Sequence, residues 1–201
     1  MATHVFGQYN ITYIHISKCS GTSIRAWLES AMGHSQILFL EADQTIESMR
    51  ASFDVKWAFA VVRNPWDRLV SMYTYMMGIY QRGESDHTVE DFRNLLIRAD
   101  GSYNSFLEFL QVFSNMPYSP SIITARSPMS DYLRGGVDLV IRYENLNAEF
   151  APLQKMFNCY TPLPRLRSSV HNNYSSYYDT QTKDLVAKLF TEDIDTWEYT
   201  F

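Results

Sequence analysis

Hydrophobic positions along this chain fall into two kinds of run, short apolar blocks and stretches with a three-and-four spacing. The blocks Tyr9–Ile16, Gln36–Leu40 and Trp57–Val62 read as strands. The last, W-A-F-A-V-V, is unbroken rather than alternating, the pattern of a strand covered on both faces in a parallel sheet. Ile24, Trp27, Leu28 and Ala31 recur at helical spacing and predict a helix ending near Met32. A helix is expected over Ala42–Ser52, with Ile46 and Met49 on one face. Pro65 forbids further strand and suits a first helical turn, which the acidic Asp67 also favours. Leu69, Met72, Tyr73 and Met76 then supply that helix's buried face.

The polar run Gln81–His87 predicts a surface loop. Two helices follow, one on Val89, Phe92, Leu96 and Ala99 and the next on Phe106, Phe109, Leu110 and Phe113. Met116–Ser121 breaks the pattern, and Gly135-Gly136 turns the chain into a further buried strand, V-D-L-V-I-R-Y-E-N-L. A helix over Phe150–Phe157 must hold Pro152 in its first turn. Thr161–Tyr178 is irregular, aromatic and locally basic, a segment suited to covering a ligand, and a last helix runs Thr182–Phe190. Strands alternating with helices define an α/β fold. At 201 residues without internal repeat, one domain over 1–201 is expected.

The chemistry concentrates where the first strand turns into the first helix, in I-H-I-S-K-C-S-G-T-S. A helix start leaves N–H groups without internal partners and carries partial positive charge. Lys18 beside Gly21, Thr22 and Ser23 therefore makes an anion cradle for a phosphate or a sulfated phosphate. It is not the nucleoside-triphosphate loop G-x-x-x-x-G-K-[ST], because the lysine precedes the glycine by three residues. Arg63 closes the Trp57–Val62 strand, and Ser71 lies about two turns into the helix that follows. Ligands of open α/β sheets bind along that carboxyl edge.

Composition narrows the partners. A net charge of −5 leaves no basic excess to neutralise a nucleic-acid backbone. The 14 Tyr and 12 Phe chiefly suit core packing, with flat rings available to a base or a sugar. Two cysteines form no disulfide framework, which points to a reducing compartment. Cys19 sits in the loop, where a helix start could lower a thiol pKa, yet no histidine is recognisable as the base a nucleophile needs. The first residues show no charged leader with an apolar core, and no run approaches the ~20 residues of a bilayer span. A soluble, cytoplasmic protein is expected, and a membrane anchor outside this sequence is compatible with the same reading.

Three separated stretches resemble the sulfotransferase superfamily, and most closely its carbohydrate-type branch, sulfotransferase family 2. I-H-I-S-K-C-S-G-T-S is similar to that family's 5′-phosphosulfate loop, commonly P-K-x-x-G-T-S, with Ser17 here in place of the proline. F-A-V-V-R-N-P-W-D-R-L-V-S-M-Y is similar to its 3′-phosphate segment. V-H-N-N-Y, L-V-A-K-L-F-T-E-D-I-D and V-I-R-Y-E-N-L match the later pattern. The resemblance implies a P-loop-like three-layer fold, a central mostly parallel sheet flanked by helices.

It also implies the donor 3′-phosphoadenosine 5′-phosphosulfate and the product adenosine 3′,5′-bisphosphate, with no metal required. Lys18, Gly21, Thr22 and Ser23 would hold the 5′-phosphosulfate, and Arg63 with Ser71 the 3′-phosphate. Lys18 would also stabilise charge on the bridging oxygen during in-line transfer to an acceptor hydroxyl, on a glycan or a small hydroxylated molecule. Glu41, at the end of the second strand, is the candidate base, with His87 and His171 as alternates. Arg167, Ser169 and Tyr174 are candidates for closing over the nucleotide. Two other readings stay open: a P-loop nucleotide-dependent kinase, and a relative that binds the nucleotide without chemistry.

Overall fold

The computed structural model describes residues 2–5, 10–32, 37–40, 44–83, 93–115, 126–166 and 172–201. These fall into two compact units, each drawn from two separate stretches of sequence: Met1–Arg63 with Met129–Ser168, and Asn64–Pro128 with Ser169–Phe201.

The first unit is built on five strands, β1 (Ala2–Val5), β2 (Ile11–Ile14), β3 (Ile37–Leu40), β4 (Trp57–Val62) and β5 (Leu139–Arg142). Their order in the sheet is β3-β1-β2-β4-β5. β4 runs parallel to β2, with Ile14 opposite Ala60, and parallel to β5, with Ala60 opposite Val140. β1 is antiparallel to both of its neighbours. Four of the five strands therefore point the same way, and the protein is a mixed α/β structure with a mostly parallel sheet. Ala58 to Val62 are all fully buried, as the unbroken apolar run requires.

Helices α1 (Gly21–Met32) and α2 (Ile46–Ser52) belong to this unit. Ile24, Trp27 and Leu28 form the buried stripe of α1. Trp27 meets Phe150 and Phe157 edge-on, at 4.7 and 5.7 Å between ring centroids. Its Nε1–H donates to the Thr161 carbonyl at 2.9 Å, so burying the indole leaves no orphan donor.

Several element limits differ from expectation, each for a local reason. The strand expected over Tyr9–Ile16 is β2, Ile11–Ile14, and begins only after Asn10, which turns left-handed at φ 41°. α2 starts at Ile46, since Thr45 and Ser48 cap each other's backbone N–H groups there. The strand expected over Val137–Leu146 shortens to four residues: the Ala58 N–H donates to the Asp138 side chain at 2.7 Å, and a 3-10 turn follows at Tyr143–Asn145.

The second unit is helical among the described residues. α3 (Pro65–Gln81) starts where proline permits, and α4 (Arg93–Leu96) and α5 (Phe106–Asn115) follow. Phe106, Phe109, Leu110 and Phe113 are buried as their spacing indicates. Tyr73 of α3 packs on Phe106 and Phe109 at 5.4 and 5.3 Å. Back in the first unit, a short helix unforeseen from the sequence, α6 (Met129–Tyr132), precedes α7 (Leu146–Glu149) and α8 (Ala151–Met156).

The expected last helix runs Thr180–Leu189 as α9, opened by a capping box between Asp179 and Thr182. It is not the last: Phe190 breaks the helical backbone, and α10 (Thr191–Trp197) restarts with Glu192 and Asp193 in its first turn. No helix among the described residues is long and apolar enough to cross a membrane.

Candidate functional site

The loop between β2 and α1 is tightened by two left-handed residues, Lys18 at φ 66° and Ser20 at φ 61°. For non-glycine residues this backbone costs roughly 1–2 kcal/mol each, and such strain gathers at binding sites. Cys19 anchors the loop from within. Its N–H donates to Ile16 at 3.3 Å, and its buried Sγ lies 3.6 Å from the Ser17 carbonyl and 3.8 Å from Met129 Sδ. Cys19 thus packs as a small apolar residue, and neither it nor Cys159 is in a disulfide. The Ile24 N–H donates to the Ser20 carbonyl at 3.1 Å, closing the first helical bond. The N–H groups of Gly21, Thr22 and Ser23 precede that bond and have no partner within the helix.

Lys18 is half-buried and Thr22 exposed, whereas Gly21 and Ser23 are buried. The Ser23 hydroxyl oxygen accepts from the Leu166 N–H at 3.1 Å, so it ties a distant segment to the first turn of α1. Arg63, at the end of β4, is 5% exposed. Its Nη1 donates to the Lys18 carbonyl at 3.1 Å, its backbone N–H points at Met129 Sδ at 3.4 Å, and its guanidinium sits 4.0 Å from the centre of the Tyr143 ring. Within the first unit, then, Lys18 and Arg63 are brought into one place, with Tyr143 and Met129 as supports.

Beneath the loop lies His15, nearly buried and in contact with Gly21. Burial pushes its imidazole down to about 3, with the charges of Arg25 and Lys18 adding to the effect. It is uncharged at neutral pH. Burial also raises the Tyr13 phenol well above its usual range, so that ring is neutral too.

The second unit holds the other two candidates. Ser71 is buried, two turns into α3. Asn64 caps that helix: its Oδ1 accepts from the N–H groups of Trp66 and Asp67 at 3.0 and 3.4 Å. Its Nδ2 donates to the Thr200 carbonyl at 2.9 Å and reaches the Tyr174 hydroxyl at 3.5 Å. Tyr174 opens a 3-10 turn, Tyr174–Tyr177, and Tyr178 closes it by donating to the Trp66 carbonyl at 2.9 Å. Tyr174 therefore stands at the start of α3. Glu41, Arg167, His87, His171 and Ser169 lie outside the described residues.

Sequence reasoning missed four residues here. Asn64 carried a usable signal, since an Asn before Pro at a helix start is a capping pattern. His15, Tyr143 and Met129 act through packing and carried none. Among the described residues, no group of three or more His, Cys, Asp or Glu is placed to hold a metal ion.

The protein is a mixed α/β structure with a mostly parallel sheet, in which a lysine on one strand-to-helix loop meets the arginine that follows the adjacent strand. The chain belongs to the sulfotransferase family, family 2, whose model matches residues 2–200. Membership carries transferase activity with it. No curated protein and no solved structure gives a significant match.

Proposed function

We propose that this protein moves a sulfuryl group from 3′-phosphoadenosine 5′-phosphosulfate to an acceptor hydroxyl, on a glycan or a small hydroxylated molecule rather than a nucleic acid. The observation that carries the reading is the bond from Arg63 Nη1 to the Lys18 carbonyl. It sets a guanidinium beside a lysine and a helix start, a donor set suited to anionic oxygens. When bound, the donor supplies an activated sulfuryl group for in-line displacement.

In this reading residues 1–201 act as one domain with a P-loop-like three-layer arrangement. Lys18 and the amides of Gly21, Thr22 and Ser23 hold the 5′-phosphosulfate. Ser23 contributes its N–H, and its hydroxyl, whose oxygen accepts from the Leu166 N–H, keeps its O–H to donate. Lys18 stabilises charge at the bridging oxygen, a preorganised donor of the kind worth ~10²–10³ in rate. Arg63 and Ser71 hold the 3′-phosphate, Glu41 takes the acceptor proton, and Arg167 and Tyr174 cover the nucleotide. The transferred group has one charge fewer than a phosphoryl group, so the reading requires no metal.

Thermal unfolding with adenosine 3′,5′-bisphosphate, without metal, tests this. Saturation at about a hundredfold over Kd contributes about 2.7 kcal/mol, a rise of roughly 5–10 °C for a chain of this size. A larger rise with ATP and magnesium would favour a kinase. A shift with the bisphosphate but no sulfate transfer to a panel of hydroxyl acceptors would leave a binding protein.

A further inference from the structure

His15 links the sheet to the loop. Its ring stacks on Tyr13, 5.9 Å between centroids and 14° between planes, and Tyr13 stacks on Phe59 of β4 at 4.9 Å. Tyr13 and Phe59 are register partners across β2 and β4, so the stack begins in the middle of the sheet. At its other end, a Cβ placed on Gly21 would fall inside the His15 imidazole. Gly21 is not among the glycines with positive φ, so its backbone conformation does not demand glycine. The neighbouring ring does. His15 Nδ1 and the Tyr13 hydroxyl have no hydrogen-bond partner among the described residues. The imidazole is thus held by stacking and by contact with the Gly21 backbone, and its shape matters more than its nitrogens.

We propose that His15 is a positioning residue of the anion loop: braced by Tyr13 and Phe59, its ring sets the depth at which Gly21 and the first turn of α1 sit. That depth fixes where the loop's N–H groups and Lys18 meet the phosphosulfate. The inference rests on the reading of this loop as the donor site. Removing the ring lets the helix start sink toward the sheet, and adding a methyl at position 21 pushes it away. Displacements near 1 Å cost on the order of 10²-fold in function.

The test compares wild type, Gly21→Ala, His15→Ala, their double variant and His15→Phe. Kd for adenosine 3′,5′-bisphosphate, donor KM and melting temperature are read on each. Each alanine change alone should weaken nucleotide binding, whereas the double variant should bind about tenfold better than Gly21→Ala, because the vacated ring space accepts the methyl. His15→Phe keeps a flat ring on Tyr13 and should retain more affinity than His15→Ala. A double variant no better than Gly21→Ala overturns the proposal, as do losses in melting temperature with Kd unchanged. If the wild type itself does not bind the bisphosphate, the proposed function falls separately. The melting temperatures then decide the His15–Gly21 coupling: a rescue by the double variant supports it and additive losses overturn it.

Discussion

Arg63 reaches back 45 residues in sequence to hold the carbonyl of Lys18, with its guanidinium over Tyr143. A lysine at position 63 would keep the charge but lose both the planar stack and the fork. Arg63→Lys should therefore weaken adenosine 3′,5′-bisphosphate binding by roughly 10- to 100-fold, as expected for one hydrogen bond to a charged group, ~1.5–3 kcal/mol. Titration calorimetry on the two proteins decides it, and equal affinities would show that the bond does not shape the site.

Lys18 is a half-buried residue that combines a left-handed backbone with a charged side chain, so its two contributions separate by choice of variant. Lys18→Gly removes the side chain and relieves the backbone at once. The expected result is a melting temperature equal to or above wild type and a turnover lower by ~10²–10³. Lys18→Ala should lose the same activity without the gain in stability. A Lys18→Gly protein with near-normal turnover would remove Lys18 from the chemistry.

Acid should act on the fold through His15. The folded imidazole takes its proton only near pH 3, against 6.5 for an unperturbed histidine. Below about pH 6.5 the unfolded chain binds that proton and the folded chain does not, so stability falls as pH drops from there toward 3. His15→Phe should flatten the dependence of melting temperature on pH across this window. An unchanged slope would place the acid sensitivity elsewhere.

A second acid-sensitive feature works at lower pH and on the surface. Hydrogen bonds from Arg98, then from the Ser105 side chain and N–H, hold the Glu108 carboxyl down to about 2, below its ordinary 4.5. A depressed carboxylate stabilises the fold above its unfolded value and loses that effect as pH falls through the folded one. The melting-temperature gap between wild type and Glu108→Gln should hold at neutral pH and close between about 4.5 and 2. Because the pair is exposed, added salt should narrow the gap as well.

The parts of the fold that the sequence made legible are those where one local rule dominates. Trp57–Val62 had nowhere to go but the middle of a sheet, and Pro65 marked the start of its helix. β1 was missed because A-T-H-V carries two polar residues in four. It is a strand through pairing on both sides, with His4 bonded to Thr12 at 2.8 Å. Phe190 hid a helix break inside a hydrophobic position.

At the candidate site, residue type and spacing singled out Lys18 and Arg63, which the fold brings together. That Arg63 holds a backbone carbonyl of the other segment could not be read, because any residue offers a carbonyl. Ser23 illustrates the converse. A hydroxyl beside a helix start suggests a ligand, and its oxygen also accepts from the Leu166 N–H, which no local pattern announces.

Leu166 also bears on how the chain is made. The sheet-bearing unit draws on Met1–Arg63 and Met129–Ser168, with helical sequence interleaved. During synthesis the β2–α1 loop emerges well before β5 and the Ser23–Leu166 tie, which arrive only after the interleaved helical sequence has been translated. Such long-range closure slows folding and prolongs the exposure of strand edges. Truncations ending before residue 139 lack β5 and should therefore aggregate in vitro more readily than the 201-residue chain.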